Sequence, residues 1–229
     1  MNSTLIPIRG EELPKPKVFE ELVMLVLDAS GSMNEQNAEI GKTKADEVIW
    51  HIAKGPDNLL SRLVTSRNRE NMFLGVITFD DRVDTIVPRP ISMIDQKDLE
   101  IPLTQKHGQG TAVGTALLEA FQIVTEWLSQ APEKIQRFAT ILLMSDGQET
   151  CDSNPIYAAA QIKSYGTTGT TRPKIVLATA AYGNKADKTT LQAMATARQD
   201  GFPMFKRVSS GVELRDFFME SIQSTHMKY

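Results

Sequence analysis

The stretch Val23-Met24-Leu25-Val26-Leu27-Asp28-Ala29-Ser30-Gly31-Ser32-Met33 limits what this chain can become. Five consecutive apolar residues, Val23 to Leu27, run straight into an acid, two hydroxyls and a glycine. A short run with no polar alternation reads as a strand buried on both faces, the kind found mid-sheet in α/β proteins. Open α/β sheets bind ligands in the crevice at the carboxyl ends of their strands. A central strand that ends in oxygen donors aims them into that crevice. Asp28, Ser30 and Ser32 are all oxygen donors with no soft nitrogen or sulfur among them. Such a set suits a hard cation such as Mg2+ or Mn2+.

The pattern along the chain predicts alternating strands and helices. Strands are expected over 22–28, 73–79, 83–87, 138–144, 175–182 and 203–208. Helices are expected over 38–54, 57–67, 155–164 and 212–222, with a strong one opened by Gly110-Thr111 and another around Leu191 and Met194. Ala45, Val48, Ile49, Ile52 and Ala53 fall on one helical face, and Gly55-Pro56 stops that helix. Asp80-Asp81-Arg82 is too short a link for a parallel crossover, so 83–87 is expected to pair antiparallel at a sheet edge. Residues 88–110 read as loop, with a short helical turn near 95–100. The fold class is therefore α/β: a doubly wound, mostly parallel central sheet with one short antiparallel edge strand and helices on both faces. Domain organisation is read as an arm over 1–19, one domain over 20–225 and a tail over 226–229. Pro7, Pro14 and Pro16 punctuate the arm among charged residues, and Leu5-Ile6-Pro7-Ile8 is a candidate edge segment.

Asp-x-Ser-x-Ser after an apolar strand resembles the first segment of the metal-ion-dependent adhesion site of von Willebrand factor A domains. Two further segments carry the likeness. Gly110-Thr111-Ala112-Val113-Gly114 is similar to the family's Thr-bearing loop before a long helix, and Leu142-Leu143-Met144-Ser145-Asp146-Gly147 to its Asp-Gly after the fourth strand. The closing run, with Leu191, Met194, Gly201, Phe205 and Leu214, completes a resemblance over roughly residues 20–222. The resemblance implies the Rossmann-like fold of that family and a Mg2+ (Mn2+ or Ca2+ also suit) held by Asp28, Ser30, Ser32, Thr111 and Asp146. It further implies that the ion is completed by an Asp or Glu carboxylate from a partner protein. Two carboxylates in one crevice repel, and a divalent cation removes that conflict. Met33, Asn34, Glu35, Gln109, Gln148 and Glu149 are the candidate partner-binding rim. The same residues have plainer roles open to them: Asp28 and Ser30 as turn formers around Gly31, Thr111 as a helix N-cap, Asp146-Gly147 as a turn.

Composition narrows the class. A chain of 229 residues is long enough for one domain that needs no staple, and a net charge of −3 with interspersed signs argues against nucleic acid as a partner. No stretch approaches the roughly 18 apolar residues of a membrane span. Cys151 is the only cysteine, which excludes an internal disulfide and fits a reducing compartment. The expected location is cytoplasmic, and the resemblance is to intracellular stand-alone bacterial members, which work beside AAA+ ATPases, kinases, phosphatases or stress-response systems. The stretch 55–71 is longer than the family minimum.

Rival chemistries fit less well. The run from Asp28 to Glu39 is similar to an EF-hand loop, but Met33 stands where that loop needs Gly. Asp28 as a phosphotransfer nucleophile lacks a second Asp two residues on, since Ser30 is there, and Asp80-Asp81 is similar to a receiver-domain acidic pair on the wrong strand. There is no Gly-x-Ser-x-Gly elbow and no full Gly-x4-Gly-Lys-[Ser/Thr] phosphate loop, since Gln36 stands where Gly41-Lys42-Thr43 would need its first Gly. His51 is read as a surface or boundary residue, and His107 as a candidate for the rim. The leading reading is a non-enzymatic, metal-dependent interaction module. The alternatives are a metal-independent scaffold using the N-terminal arm or 55–71, and a Mg2+-dependent phosphotransfer enzyme.

Overall fold

The computed structural model describes residues 19–36, 42–95, 99–103, 108, 110–166 and 174–226. The arm before Phe19, the beginning of the first expected helix, residues 96–98 of the turn expected near 95–100, His107, Gln109 and the last three residues lie outside the described residues.

Six strands form one sheet: β1 (Phe19–Asp28), β2 (Met72–Phe79), β3 (Val83–Pro90), β4 (Gln136–Ser145), β5 (Ile175–Tyr182) and β6 (Phe205–Val208). Their order is β3-β2-β1-β4-β5-β6. Every pairing is parallel except β2 with β3, which is antiparallel at the edge. The three-residue turn after β2 accounts for that exception. β3 runs on to Pro90 rather than ending at Val87, and it tolerates Pro88 and Pro90 because an edge strand has one side free of ladder bonds.

Among the described residues six α-helices cover the sheet: α1 (Lys44–Ile49), α2 (Leu59–Val64), α3 (Val113–Ser129), α4 (Pro155–Ser164), α5 (Lys188–Met194) and α6 (Gly211–His226). The period of two in β1 divides them. Val23, Leu25 and Leu27 join one core with residues of α1, α2 and α6. Leu22, Met24 and Val26 join a second core with residues of α3, α4 and α5. β1 is thus buried on both faces, as its unbroken apolar run requires. The α/β class, the mostly parallel sheet and the antiparallel edge strand are as expected from the sequence.

Two local details differ. α1 starts at Lys44 because Thr43 and Asp46 form a reciprocal capping box, and it then widens into a π-type turn over Trp50–Lys54 that closes on Gly55. His51 is buried rather than at the surface, packed where α6 begins beside Gly211. The stretch 55–71 carries the helix expected there: α2 buries Leu59, Leu60 and Leu63, and Asp57 receives Arg62 and Arg215, the latter from α6.

β1 lies between β2 and β4, so the carboxyl ends of three strands meet at one place. Asp28 ends β1, Asp80 follows β2 and Asp146 follows β4. The chain leaves β1 for β2 on one side and reaches β4 on the other, which makes this the topological switch point of the sheet.

Candidate functional site

Asp28 is fully buried at the end of β1, and both of its oxygens are engaged. Oδ1 accepts the Ser30 N–H at 2.9 Å, the turn-forming bond open to an Asp two residues earlier, and Oδ2 accepts the Ser145 hydroxyl at 2.6 Å. The hydroxyls of Ser30 and Ser32 lie 3.1 Å apart. Ser32 in turn donates to Asp146 Oδ1 at 2.5 Å across 114 residues of sequence. Asp146 is itself fully buried.

Thr111 arrives on the loop before α3. It is 5% exposed, and its hydroxyl does not cap the helix: the N-cap position is Ala112. A Cβ built on Gly147 would stand 3.5 Å from Thr111 Oγ1 and 3.9 Å from Ser32 Oγ. The bare glycine therefore leaves a cradle between two hydroxyls from different segments. The structure brings together Asp28, Ser30, Ser32, Thr111 and Asp146.

The loop carrying Thr111 is held from three sides. Asp80, fully buried after β2, accepts the Arg82 N–H at 2.7 Å through Oδ1 and the Gly108 N–H at 3.0 Å through Oδ2. Its carbonyl accepts the Ala112 N–H at 2.8 Å. Gly108 passes the restraint on, because its carbonyl accepts the Gly31 N–H at 3.2 Å. On the far side Thr111 N–H donates to Thr150 Oγ1 at 2.8 Å, and the Thr150 N–H returns to the Thr111 carbonyl at 3.1 Å.

The expected rim divides. Gln148 and Asn34 are exposed, and Glu35 is exposed with its carboxylate between two lysines. Met33 is a correction: it has no exposed surface and belongs to the core beside α1. The short 3-10 turn Gly31–Asn34 turns it inward. Glu149 is a second correction. Its carboxylate is spent on the backbone, accepting the Gly114 N–H at the start of α3 and the Cys151 N–H, both at 3.0 Å. An acid there suits the positive end of the helix. Cys151 is a free thiol packed toward Gly110, whose added Cβ would stand 2.8 Å from the sulfur.

Four residues that the sequence did not assign to the site stand around the five: Lys44, Asp80, Ser145 and Thr150. Lys44 carries the only ammonium that an ion pair brings to Asp146 among the described residues, with Nζ 2.7 Å from Asp146 Oδ2 and 3.0 Å from Glu35 Oε2. Glu35 also receives Lys185 at 2.6 Å. Burial works against the Lys44 charge, and the Asp146 and Glu35 carboxylates outweigh it, so the ammonium is held above the ordinary lysine value. Bonds from Lys185 and Lys44 hold the Glu35 carboxyl below its ordinary value. Asp28 moves the other way: burial, then the Asp146 charge, push its carboxyl up to about 6.

Two carboxylates and three hydroxyls form a donor set for a hard divalent cation. Among the described residues no three His, Cys, Asp or Glu side chains gather as an alternative metal site. No described helix is long and apolar enough to cross a membrane.

The sequence model of the von Willebrand factor type A domain matches residues 23–220. The chain belongs to that family. Domains of the von Willebrand factor A family generally serve as interaction modules rather than enzymes. The mouse protein "Calcium-activated chloride channel regulator 3A-1" is 28% identical over 62% of this chain and 15% of its own length. Proximal thread matrix protein 1 from the mussel byssus, solved with a zinc-occupied MIDAS motif, is 18% identical with a TM-score of 0.62, covering 91% of this chain and 48% of that one. A von Willebrand factor type A structure from Catenulispora acidiphila is 15% identical with a TM-score of 0.62, covering 90% of this chain and 43% of that one. These two likenesses are of fold. This chain spans less than half of either solved chain and a small part of the mouse protein.

Proposed function

We propose that this domain binds a protein partner through a divalent cation, Mg2+ or a close substitute such as Mn2+ or Ca2+. Asp28, Ser30, Ser32, Thr111 and Asp146 hold the ion. When bound, it supplies a positive centre that accepts an Asp or Glu carboxylate from the partner. The observation that carries this reading is the contact of Ser32 with both Ser30 and Asp146, beside the Gly147 cradle that Thr111 shares. The zinc-occupied motif of the mussel protein supports a divalent ion as the occupant. Each side chain has a defined part. Asp28 and Asp146 provide negative charge from side chains that are themselves fully buried. The three hydroxyls provide neutral oxygens. Ser145 and the Ser30 N–H orient Asp28, and Asp80 with Thr150 fix the Thr111 loop.

Asn34 and Gln148 are the exposed residues beside the site that the partner meets, with Glu35 at its edge. The lone Cys151 suits a reducing compartment, and the cytoplasm is the proposed location. The test is a thermal melt in Mn2+ against chelator for wild type and Asp28→Ala, followed by a binding assay against peptides displaying a single Asp or Glu. Ligand at about 100 times its dissociation constant stabilises by about 2.7 kcal/mol, which for a domain this size is a shift of roughly 5–10 °C. The expected result is a shift and a metal-dependent peptide signal in wild type, both lost in Asp28→Ala. Peptide binding that survives chelation and the substitution overturns the reading.

A further inference from the structure

We propose that Lys44 is a tethered counter-ion of this site, competing with the divalent cation for the Asp146 carboxylate and so setting how readily the site loads. The inference rests on the metal-binding reading above. Lys44 is 7% exposed, and its ammonium lies 2.7 Å from a carboxylate that is fully buried. It is the first residue of α1, where a positive charge gains nothing from the helix, since helix N-termini favour acids. The position is therefore explained by Asp146 and not by α1.

A second acceptor makes exchange possible. Glu35 Oε2 lies 3.0 Å from the same nitrogen, and the Glu35 side chain is 43% exposed. A divalent ion that takes Asp146 leaves Lys44 with Glu35, so the ammonium keeps an acid partner without crossing the site. Charge gives the consequence. Asp28 and Asp146 against Lys44 sum to −1, and a divalent ion brings the centre to +1 instead of the neutral value that two carboxylates alone would give. Loading is weakened, and the loaded centre draws an anionic partner group more strongly. Domain and partner then engage only where the divalent ion is abundant enough to displace the ammonium.

A simple structural ion pair predicts something different: its removal destabilises the fold and leaves metal affinity unchanged or poorer. The experiment titrates Mn2+ into wild type, Lys44→Met, Lys44→Gln and Lys44→Arg, reading free Mn2+ by electron paramagnetic resonance, with folding checked by circular dichroism. Glutamine keeps an N–H for Asp146 Oδ2, which protects the measurement if the methionine variant does not fold. The expected result is Mn2+ binding tightened on the order of tenfold in the neutral variants and within about twofold of wild type in Lys44→Arg. Folded neutral variants that bind Mn2+ no more tightly than a binding wild type overturn this inference and leave the metal site standing. Absence of binding in wild type and in every variant overturns both.

Discussion

Asp28 sits where the fold works against its charge. Burial and the neighbouring Asp146 hold its carboxyl up to about 6, against about 4 for the unfolded chain. Between those values the folded protein binds a proton that the unfolded chain has released, so the unfolding free energy falls as pH rises through this window. Above about pH 6 the cost is complete, roughly 2–3 kcal/mol by the size of the shift. Asp28→Asn is neutral throughout. Its Oδ1 still accepts the Ser30 N–H, and the Ser145 hydroxyl can rotate to accept from the new amide. In chelator the variant is expected to match wild type near pH 4 and to be more stable by about 2–3 kcal/mol at pH 7. Urea unfolding at each pH checks this, and a difference that does not change with pH would refute it. Mn2+ at about 100 times its dissociation constant offsets that difference at pH 7, because the ion stabilises only the carboxylate form.

At the scale of elements, the loop before α3 is what turns separate strand ends into a site. Asp80 ties Gly108 and Ala112 on either side of Thr111. Asp80→Ala leaves the Gly108 and Arg82 N–H groups without their acceptor, at a cost of about 2–4 kcal/mol. It also weakens Mn2+ binding several-fold, although Asp80 is not among the five proposed ligands. Asp80→Asn keeps one acceptor oxygen and recovers part of both effects, as chemical unfolding and Mn2+ titration would show. Much of this architecture is legible in the sequence. α4 and β5 begin and end where Pro155, Ser164 and the Ile175–Tyr182 run place them, because local chemistry and burial agree there. The three segments of the site are legible for the same reason: each sits at the end of an unmistakable apolar strand or the start of a long helix. Met33 and His51 are not: Met33 stands between Ser32 and Asn34, His51 is a polar residue in an apolar run, and the 3-10 and π-type turns that carry them leave no periodic mark. Lys44 is the hardest to read. A lysine one residue before Ala45 looks like the solvated edge of a helix, and only the fold brings it to Asp146, 102 residues on.

Among the described residues the molecule has two cores, and β1, like β2, β4 and β5, serves both. Alternate residues of β1 enter opposite layers, and the proposed ligands, Asp28, Ser30, Ser32, Thr111 and Asp146, come from three separate segments at the strand ends. A sheet shared in this way should not let one layer unfold without the other. The chain's two tryptophans allow the test, one on each side of the sheet. Trp50 is 43% exposed in the turn after α1, whose neighbours Ile49 and Ile52 belong to the first core. Trp127 is on α3 in the second core, edge-on to Phe73 at 5.3 Å. Trp50→Phe and Trp127→Phe each leave a single reporter, and fluorescence follows one layer in each variant. The Phe substitution at position 127 costs more than the one at the exposed position 50, so each variant's fluorescence is compared with its own circular dichroism. In guanidinium the two signals are expected to coincide within each variant, as an all-or-none transition requires. Saturating Mn2+ should then raise both variants' unfolding free energies by the same amount, about 2.7 kcal/mol at 100 times the dissociation constant. A metal effect seen at Trp127 but not at Trp50 would mean that the layer bearing Lys44 unfolds independently of the site, against the sharing of β1 on which the unit depends.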